Sequence, residues 1–342
     1  MTFSPDAAVP GLFRVEVGAY ATACAFSPNG ETLALATGDG KLLLVSPATR
    51  EALLTKPHEG AILCLQATAE GFVSGGDDGR IMRTAENGAS EEMYQRKGRW
   101  IEHLAVCAGG RLAAAMGREV ALFEPGTAQP RLLGPLRSSV AGLRSGLGGR
   151  LLAATHNDGL TLWDMPPSSP EGRLLEAQGS HLSLALSADG RFAACATQDK
   201  AVRIFDLREN EGYALEGYPI KVESLAFDAE NRRLLTGGEQ AVVAWDILAP
   251  EEERGKAIIF GAFEHGFLRV VAPHPALPLV CAGFDGGVVF LGDVSRRTAK
   301  PLFTLPGDRV TCLAWSHNGR HLAGGSDSGG LFLLDLVALA TA

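Results

Sequence analysis

The chain has 342 residues and a net charge of −8, and of its 31 basic residues 7 are Lys and 24 are Arg. These basic residues are scattered, so the sequence lacks the clustered positive charge that nucleic-acid backbones and anionic membrane surfaces require. No apolar stretch reaches the roughly 20 residues of a membrane-spanning helix, and we expect no signal peptide at the N-terminus.

In chain order, the first predicted element is a strand, LFRVEV, at residues 12–17. Eight similar units follow and begin near residues 21, 61, 100, 139, 181, 221, 267 and 309. In the last unit, the apolar runs VTCLAWS (310–316), HLAGGS (321–326) and LFLLD (331–335) are separated by the turn signals HNGR and DSGG. Such turns between short apolar runs are typical of β-hairpins. Each unit is therefore predicted to begin with a three-stranded antiparallel meander.

The third run of most units ends in an apolar residue followed by an acid. The clear copies are Trp163-Asp164, Phe205-Asp206, Trp245-Asp246 and Leu334-Asp335, and weaker copies are Phe123-Glu124 and Gly292-Asp293. They recur about every 40 residues, which indicates one structural unit repeated along the whole chain. In this position the pair marks the end of a strand and is not an active-site signature.

A fourth, more polar strand is predicted after each of the first seven units. These strands are ALLTK (52–56), EMYQR (92–96), RLLGP (131–135), RLLEA (173–177), YALEG (213–217), AIIFG (257–261) and PLFTL (301–305). Too few residues follow Asp335 for an eighth, so the strand at 12–17 is expected to complete the last sheet. That pairing joins the two ends into a ring and removes exposed sheet edges.

The phrases AFSPNG (25–30), LALSADG (184–190) and LAWSHNG (313–319), together with LTLWDM (160–165), VRIFDL (202–207) and VVAWDI (242–247), resemble the WD-repeat β-propellers. The resemblance covers about Leu12 to Leu336. It implies an all-β ring of four-stranded antiparallel blades around a central channel. Eight blades fit this chain better than seven, the commoner number in the family and the alternative here. The whole chain, 1–342, is then expected to be a single propeller domain.

Blades of this family are knitted by a His before the first strand, a Ser or Thr on the second, the Asp of the second turn and the Trp of the third strand. Only His58, in unit two, occupies the His position, and that unit has Arg83 where the Trp belongs. The equivalents of His58 are Val17, Lys97, Leu136, Ala177, Tyr218, Phe263 and Pro306. We therefore expect apolar packing, rather than this hydrogen-bond network, to hold the ring, and a small effect of His58→Ala on stability.

The sequence offers no pattern typical of catalysis, cofactor binding or metal binding. Its Gly clusters lie between strands as turn glycines and match no phosphate-binding loop. The six cysteines sit singly in apolar runs, which favours buried thiols in a reducing compartment. The eight histidines have no zinc-like spacing with Cys. We predict no catalytic residue, no cofactor and no metal.

The resemblance implies partner contacts on the face that carries the connections from fourth to first strands and the turns between second and third strands. Arg99 and Trp100 are the leading candidates there, because Trp, Tyr and Arg are the residue types that dominate binding energy at interfaces. The other candidates are Tyr20, Lys221, Phe284 and Arg309. An alternative is that Trp100 fills a gap between blades.

On the opposite face, Arg residues follow the first hairpin turns. They are Arg111, Arg150, Arg191, Arg232, Arg233 and Arg320. We expect acids of the third-to-fourth connections to neutralise them, namely Glu209, Glu211 and Glu251 to Glu253. A mixed charged surface is the ordinary condition of a protein face.

The predicted function is a non-enzymatic scaffold that binds protein partners through this face and the channel mouth, as a cytoplasmic monomer without nucleic-acid or membrane partners. One alternative is an enzyme or small-molecule binder that uses the central channel. A second, disfavoured by charge, is a reader of nucleic acid or chromatin.

Overall fold

The computed structural model describes residues 4–6, 8–127, 129–263 and 266–340. In these residues, thirty-three strands form eight antiparallel sheets, and one short helix follows the last strand. His265, one of the eight histidines considered above, lies outside the described residues.

Two strands precede the blades: β1 (Ser4–Pro5) and β2 (Leu12–Glu16). Blade 1 comprises β3 (Ala21–Phe26), β4 (Leu33–Thr37), β5 (Leu42–Val45) and β6 (Ala52–Thr55). Blade 2 comprises β7 (Ile62–Thr68), β8 (Gly71–Gly76), β9 (Arg80–Thr84) and β10 (Ser90–Gln95). Blade 3 comprises β11 (Leu104–Cys107), β12 (Arg111–Met116), β13 (Glu119–Phe123) and β14 (Arg131–Leu133). Blade 4 comprises β15 (Gly142–Gly146), β16 (Leu151–His156), β17 (Gly159–Asp164) and β18 (Arg173–Glu176).

Blade 5 comprises β19 (His181–Leu186), β20 (Phe192–Thr197), β21 (Val202–Asp206) and β22 (Glu211–Leu215). Blade 6 comprises β23 (Leu225–Phe227), β24 (Arg233–Thr236), β25 (Val242–Asp246) and β26 (Ala257–Phe260). Blade 7 comprises β27 (Leu268–Pro273), β28 (Leu279–Phe284), β29 (Val288–Asp293) and β30 (Thr298–Thr304). Blade 8 comprises β31 (Val310–Trp315), β32 (His321–Ser326) and β33 (Gly330–Asp335), completed by β2, and α1 (Leu336–Ala340) follows. Single 3₁₀ turns lie at Ala108–Gly110, Leu147–Gly149 and Glu251–Glu253.

The eight sheets form a closed ring, as predicted. The first strand of each blade contacts the first strand of the next blade, and β31 of blade 8 contacts β3 of blade 1. These first strands therefore surround the central channel, while the fourth strands lie at the rim. The count of eight blades decides against the seven-bladed alternative.

The closing strand is confirmed. Strand β2 pairs antiparallel with β33, with Leu12 opposite Leu334 and Glu16 opposite Gly330. The sequence did not predict β1, which pairs with β2 and gives the last sheet a fifth strand. Because Leu12 is fully buried, this pairing ties the N-terminal segment into the core and protects it from fraying.

The second strand of a blade is buried along its length because both of its faces are covered by neighbouring sheets. Every residue of β8, β16 and β20 is buried. Between blades 1 and 2, for example, Leu42 and Leu44 pack with Ile62 and Phe72. Burying a side chain of this size contributes about 1.5–3 kcal/mol, so the ring is held mainly by apolar contacts between sheets.

Blade 2 also contains a hydrogen-bond network, built on the one histidine that the sequence places in the family's position. His58 is fully buried, with its Nδ1 3.0 Å from Asp78 Oδ1 and its Nε2 2.9 Å from Ser74 Oγ. Burial works to raise the pKa of Asp78, but its hydrogen bonds with His58 and the Arg80 amide outweigh burial and lower it. Three of the four polar residues of the family's network thus meet, although Arg83 replaces the Trp.

Blade 6 contains a similar network that the sequence did not predict, in which Tyr218 takes the place of the histidine. Trp245 Nε1 donates a hydrogen bond of 2.7 Å to the Tyr218 hydroxyl. That hydroxyl lies 2.8 Å from Thr236 Oγ1. A phenol hydroxyl donates and accepts, as an imidazole does, so it bridges the second and third strands in the same way.

The acids that end the third strands have a structural role of their own. Arg191 bonds Asp206 at 2.9 Å, Arg232 bonds Asp246 at 2.8 Å, and Arg320 bonds Asp335 at 2.8 Å. Arg111 pairs in the same way with Glu124 at 2.7 Å. Four of the six Arg residues that follow the first hairpin turns are therefore paired with the repeated acids, which corrects the expectation that acids of the third-to-fourth connections neutralise them. Of the other two, Arg233 lies 3.8 Å from Asp228 and Arg150 donates to the carbonyl of Leu147. The reason is register, since Arg191, Arg232 and Arg320 directly precede the second-strand residues that pair with these acids.

Candidate functional site

The strand order places the fourth-to-first connections and the second-to-third turns on one face, which we call the upper face. Backbone hydrogen bonds join the two kinds of segment in several blades. The amides of Gly38, Asp77, Gln198, Asp285 and Asp327 donate to the carbonyls of Tyr20, Ala61, Ser180, Phe267 and Arg309, respectively. The loops of this face are thus fixed to the sheets, which suits a surface that binds without prior ordering.

Arg99 and Trp100 lie on the upper face in the connection from blade 2 to blade 3. Trp100 is 62% exposed, so it does not fill a gap between blades. Arg99 is also exposed. The only large hydrophobic side chain more than 60% exposed among the described residues thus stands beside an exposed guanidinium.

This connection is anchored at both ends. The Arg96 amide donates to Gly79 O at 2.9 Å, and the Ile101 amide donates to Gly76 O at 3.0 Å. Gly79 has φ +76°, and a Cβ there would lie 2.3 Å from Arg96 O, so only glycine permits this approach. Since Ile101 is fully buried, Trp100 projects from a fixed backbone.

A groove of about 410 Å³ opens beside Arg99, and we call it the basic groove. Its lining residues are Arg96, Arg99, Met116, Gly117, Arg118, Glu119, Pro135 and Ser139. Arg118 takes the turn position where most units carry Asp, so a break in the repeat was the sequence signal for it. Arg96, Met116 and Pro135 carried no such signal, because only the packing of blades 2 to 4 brings them together.

Tyr20 and Arg309 meet in a second opening, of about 450 Å³, which we call the channel mouth. Its lining residues are Tyr20, Glu223, Ser224, Arg269, Val270, Arg309, Val310 and Thr311. They come from the starts of the first strands of blades 6, 7, 8 and 1. Tyr20 is 43% exposed, and burial of its remainder raises its pKa.

The charges of the channel mouth are paired. Arg269 Nε lies 2.6 Å from Asp285 Oδ1, and its Nη1 lies 3.0 Å from Glu223 Oε1 in the neighbouring blade. These hydrogen bonds, above all the one with Asp285, raise the pKa of Arg269. Arg309 faces Asp327 more loosely, at 3.6 Å.

Two candidates stand apart from these openings. Lys221 is exposed, but it lines neither the basic groove nor the channel mouth. Phe284 is corrected: it is fully buried and packs 5.0 Å from Phe290 in the core between blades 6 and 7. It is the last residue of β28, and because its ring packs against Phe263 and Phe290 it cannot contact a partner.

Burial shifts the pKa values of several titratable groups in the interior. Burial raises the pKa of Cys64 and Cys107 to about 12, and it raises that of Cys195 and Cys281 further. Burial, helped by the Arg144 charge, lowers the pKa of His103 to about 4. These thiols are poor nucleophiles near neutral pH, and His103 is neutral there.

Within the described ranges, no group of three or more His, Cys, Asp or Glu residues is placed to hold a metal ion. Among those same residues, no helix is both long and apolar enough to cross a membrane.

Comparisons with known proteins agree with this geometry. A family model described as "WD domain, G-beta repeat" matches residues 171–206 and 299–335. Each match begins in or just before the fourth strand of one blade and ends with the third strand of the next. The sequence repeat is therefore offset by one strand from the blade, as the closing strand β2 requires.

Among curated proteins, two relatives are each 34% identical to this chain over 84 residues: WD repeat-containing protein 1 of Bos taurus and its counterpart of the same name in Rattus norvegicus. The match covers 24% of this chain and only 14% of each relative. Among solved structures, that of the computationally designed Ika8 protein aligns with a TM-score of 0.75 at 17% identity, over 94% of this chain and 97% of that one. This last likeness concerns the fold alone.

Proposed function

Because this chain is a WD-repeat β-propeller, we propose that it is a non-enzymatic scaffold that binds protein partners through its upper face. We further propose that residues 1–342 act as one propeller domain and that the partner contacts Arg99 and Trp100, with Tyr20, Arg309 and Lys221 as additional contacts. Propellers of this family typically bind other proteins, which supports this general role.

The observation that carries the proposal is the exposed Trp100 beside Arg99 on an anchored loop. Exposing 62% of a Trp side chain to water is unfavourable for an isolated protein. Covering it in a complex recovers that free energy, and the fixed backbone of residues 96–101 limits the entropy lost on binding. Aromatic and Arg side chains on such fixed loops are the usual centres of protein interfaces.

Two further observations support a non-enzymatic role in the cytoplasm. The thiols of Cys64 and Cys107 have strongly raised pKa values, which removes them as nucleophiles. All six cysteines are free, as is usual in a reducing compartment.

The test is affinity purification of the tagged protein from the cells that produce it, followed by mass spectrometry. We expect a protein partner whose recovery falls at least tenfold with the double variant Trp100→Ala, Arg309→Glu. Ile259→Ala is the matched control, because Ile259 is 59% exposed but lies on the outer strand of blade 6. Equal recovery with the double variant and the wild type would contradict the proposed face. A protein that comes down alone and binds a metabolite would contradict the scaffold.

A further inference from the structure

We propose that the basic groove binds an acidic peptide segment of a protein partner, with carboxylates on Arg99 and Arg118 and an apolar side chain against Trp100. This inference rests on the proposed scaffold function and names the chemistry of the partner.

The first observation is the local charge. The chain as a whole is acidic, but residues 96–102 contain Arg96, Lys97 and Arg99 against the single acid Glu102. The lining of the basic groove adds Arg118 and one more acid, Glu119. The protein has a net charge of −8, whereas this groove is positively charged. The groove is therefore complementary to a negatively charged segment of a partner.

The second observation is that several basic residues in and beside this groove have no ion pair among the described residues. Glu119 is taken by Arg96, whose Nη1 lies 3.1 Å from Glu119 Oε2. Arg118 donates its Nε–H to the carbonyl of Leu136 at 2.8 Å and has no ion pair within the described residues. Among the described residues, neither Lys97 nor Arg99 forms an ion pair within 4.0 Å. Their charges are free to bind carboxylates from outside.

The third observation is the position of the guanidinium of Arg99. A Cβ at Gly117 would lie 3.4 Å from Arg99 Nη1, which places this group over the second-to-third turn of blade 3. Arg118 is the next residue of that turn. Two guanidinium groups thus approach one groove from two segments, and each can bind a carboxylate through two parallel hydrogen bonds.

The fourth observation concerns the kind of partner. Trp100 offers an apolar surface next to these charges in the chain, and Met116 and Pro135 line the groove itself. A peptide that alternates acidic and apolar side chains matches both features. Binding of a nucleic-acid backbone requires a longer row of basic residues than this groove provides. The Arg residues of the channel mouth, the second opening of the upper face, are already paired with acids of the protein.

The experiment measures fluorescence anisotropy with labelled twelve-residue peptides. The probe is a peptide of Asp and Glu with Leu at every fourth position, and the comparison is the same peptide with Asn and Gln. We expect the acidic peptide to bind at least tenfold more tightly at low salt. We also expect its affinity to fall as the salt concentration rises, because exposed charge pairs are screened.

Two double variants separate the basic groove from net charge. Lys97→Glu, Arg99→Glu should weaken binding of the acidic peptide at least tenfold. Arg208→Glu, Arg296→Glu changes the net charge equally but lies in exposed third-to-fourth turns on the opposite face, and it should change binding less than twofold. Trp100→Ala should weaken both peptides, since it removes the apolar contact. Circular dichroism and the melting temperature confirm that each variant is folded.

Several outcomes would overturn the proposal. Equal binding of the acidic and neutral peptides would remove the role of charge. An equal loss with the two double variants would show a general charge effect. Tighter binding of a twelve-nucleotide single-stranded DNA at the same residues would assign the groove to nucleic acid.

The two proposals can fail separately. If affinity purification recovers a partner through Trp100 and Arg309 but no acidic peptide binds, the scaffold stands and the acidic chemistry fails. If the acidic peptide binds at Lys97 and Arg99 but no partner depends on the upper face, the groove stands and the scaffold function fails.

Discussion

The basic groove and the channel mouth lie on the same face and both present Arg, yet they use it in opposite ways. At the channel mouth, Arg269 is clamped between Asp285 and Glu223 at hydrogen-bond distance. In the basic groove, Arg118 donates only to a carbonyl, and Arg99 has no ion pair with any residue the structure describes. An Arg on a loop face is thus available to a partner only where no acid of its own or a neighbouring blade is paired with it.

The two regions also differ in the hydrogen-bond networks of the blades beside them. Beside the basic groove, blade 2 is locked by His58, Ser74 and Asp78. Next to the channel mouth, blade 6 is locked by Tyr218 and Trp245. The same position before the first strand is used in both, with different chemistry.

His58→Ala should have the largest effect on stability. It leaves the buried Ser74 hydroxyl and the Asp78 carboxylate without their partner and opens a cavity, so we expect a loss of about 3 kcal/mol in the free energy of unfolding. Urea unfolding followed by circular dichroism measures it. Glu59→Ala, at an exposed neighbouring position, is the control and should change stability by less than about 0.5 kcal/mol. A His58→Ala loss as small as the control's would mean that apolar packing alone holds blade 2.

Tyr218→Phe should have a smaller effect in blade 6. It keeps the ring but removes the hydroxyl that accepts from Trp245 and bonds Thr236. We expect a loss of about 1–2 kcal/mol, because Trp245 retains only the longer contact of 3.4 Å to Thr236. Urea unfolding gives the free energy. Tyr213→Phe, at a partly buried tyrosine of the neighbouring blade, serves as the control. No loss in Tyr218→Phe would show that the phenol does not replace the family's histidine.

Arg269→Gln and Arg99→Gln test the comparison directly. Arg269→Gln breaks two ion pairs of a side chain only 21% exposed, and we expect it to cost about 1 kcal/mol. Arg99→Gln should change the free energy of unfolding by less than about 0.5 kcal/mol, since it breaks no pair. Thermal unfolding in the same buffer compares the two. Equal losses would show that Arg99 serves the fold and is not held for a partner.

Asp327→Asn should have the smallest effect and is seen best as a function of pH. The hydrogen bond with Asp308, together with burial, raises the pKa of Asp327, so charging it opposes folding. A raised carboxyl pKa contributes stability at low pH that is lost as the pH rises through the folded pKa. Asn keeps the oxygen that accepts from the Arg309 amide and removes the charge. We expect a slightly higher melting temperature than wild type at pH 7, and no such gain below the pKa of a free carboxyl.

The control for this prediction is Asp335→Asn, which should behave in the opposite way. Its bond with Arg320 lowers the pKa of Asp335, so the charged form stabilises the fold above the pKa of a free carboxyl. That stability is lost as the pH falls through the folded pKa, and Asp335→Asn should be less stable than wild type at pH 7. Parallel pH profiles for the two variants would refute the assignment of opposite shifts.

Much of the fold followed from local patterns. The alternation of short apolar runs and turn residues placed the strands of all eight blades, and the count of fourth strands located the closing strand at residues 12–17. The candidate site was reached less completely. Arg99 and Trp100 break the repeat, so they stood out, whereas Phe284 occupied a position that is exposed in related repeats but is packed against Phe290 here.

The repeat, the ring and the strand that closes it could be predicted from the sequence alone, because they depend on spacing, turn chemistry and apolar periodicity within short segments. The packing of the blades is needed to see that Tyr218 stands in for a histidine, that the repeated acids pair with most Arg residues of the face opposite the upper face, and that Arg118 joins Arg99 in one groove. Each of these depends on distances between segments that are far apart in the chain, and no local pattern encodes such distances. The same reason explains why two Arg residues of the upper face differ: Arg269 is paired with Asp285 of its own blade and Glu223 of the neighbouring blade, whereas Arg99 has no ion pair among the described residues.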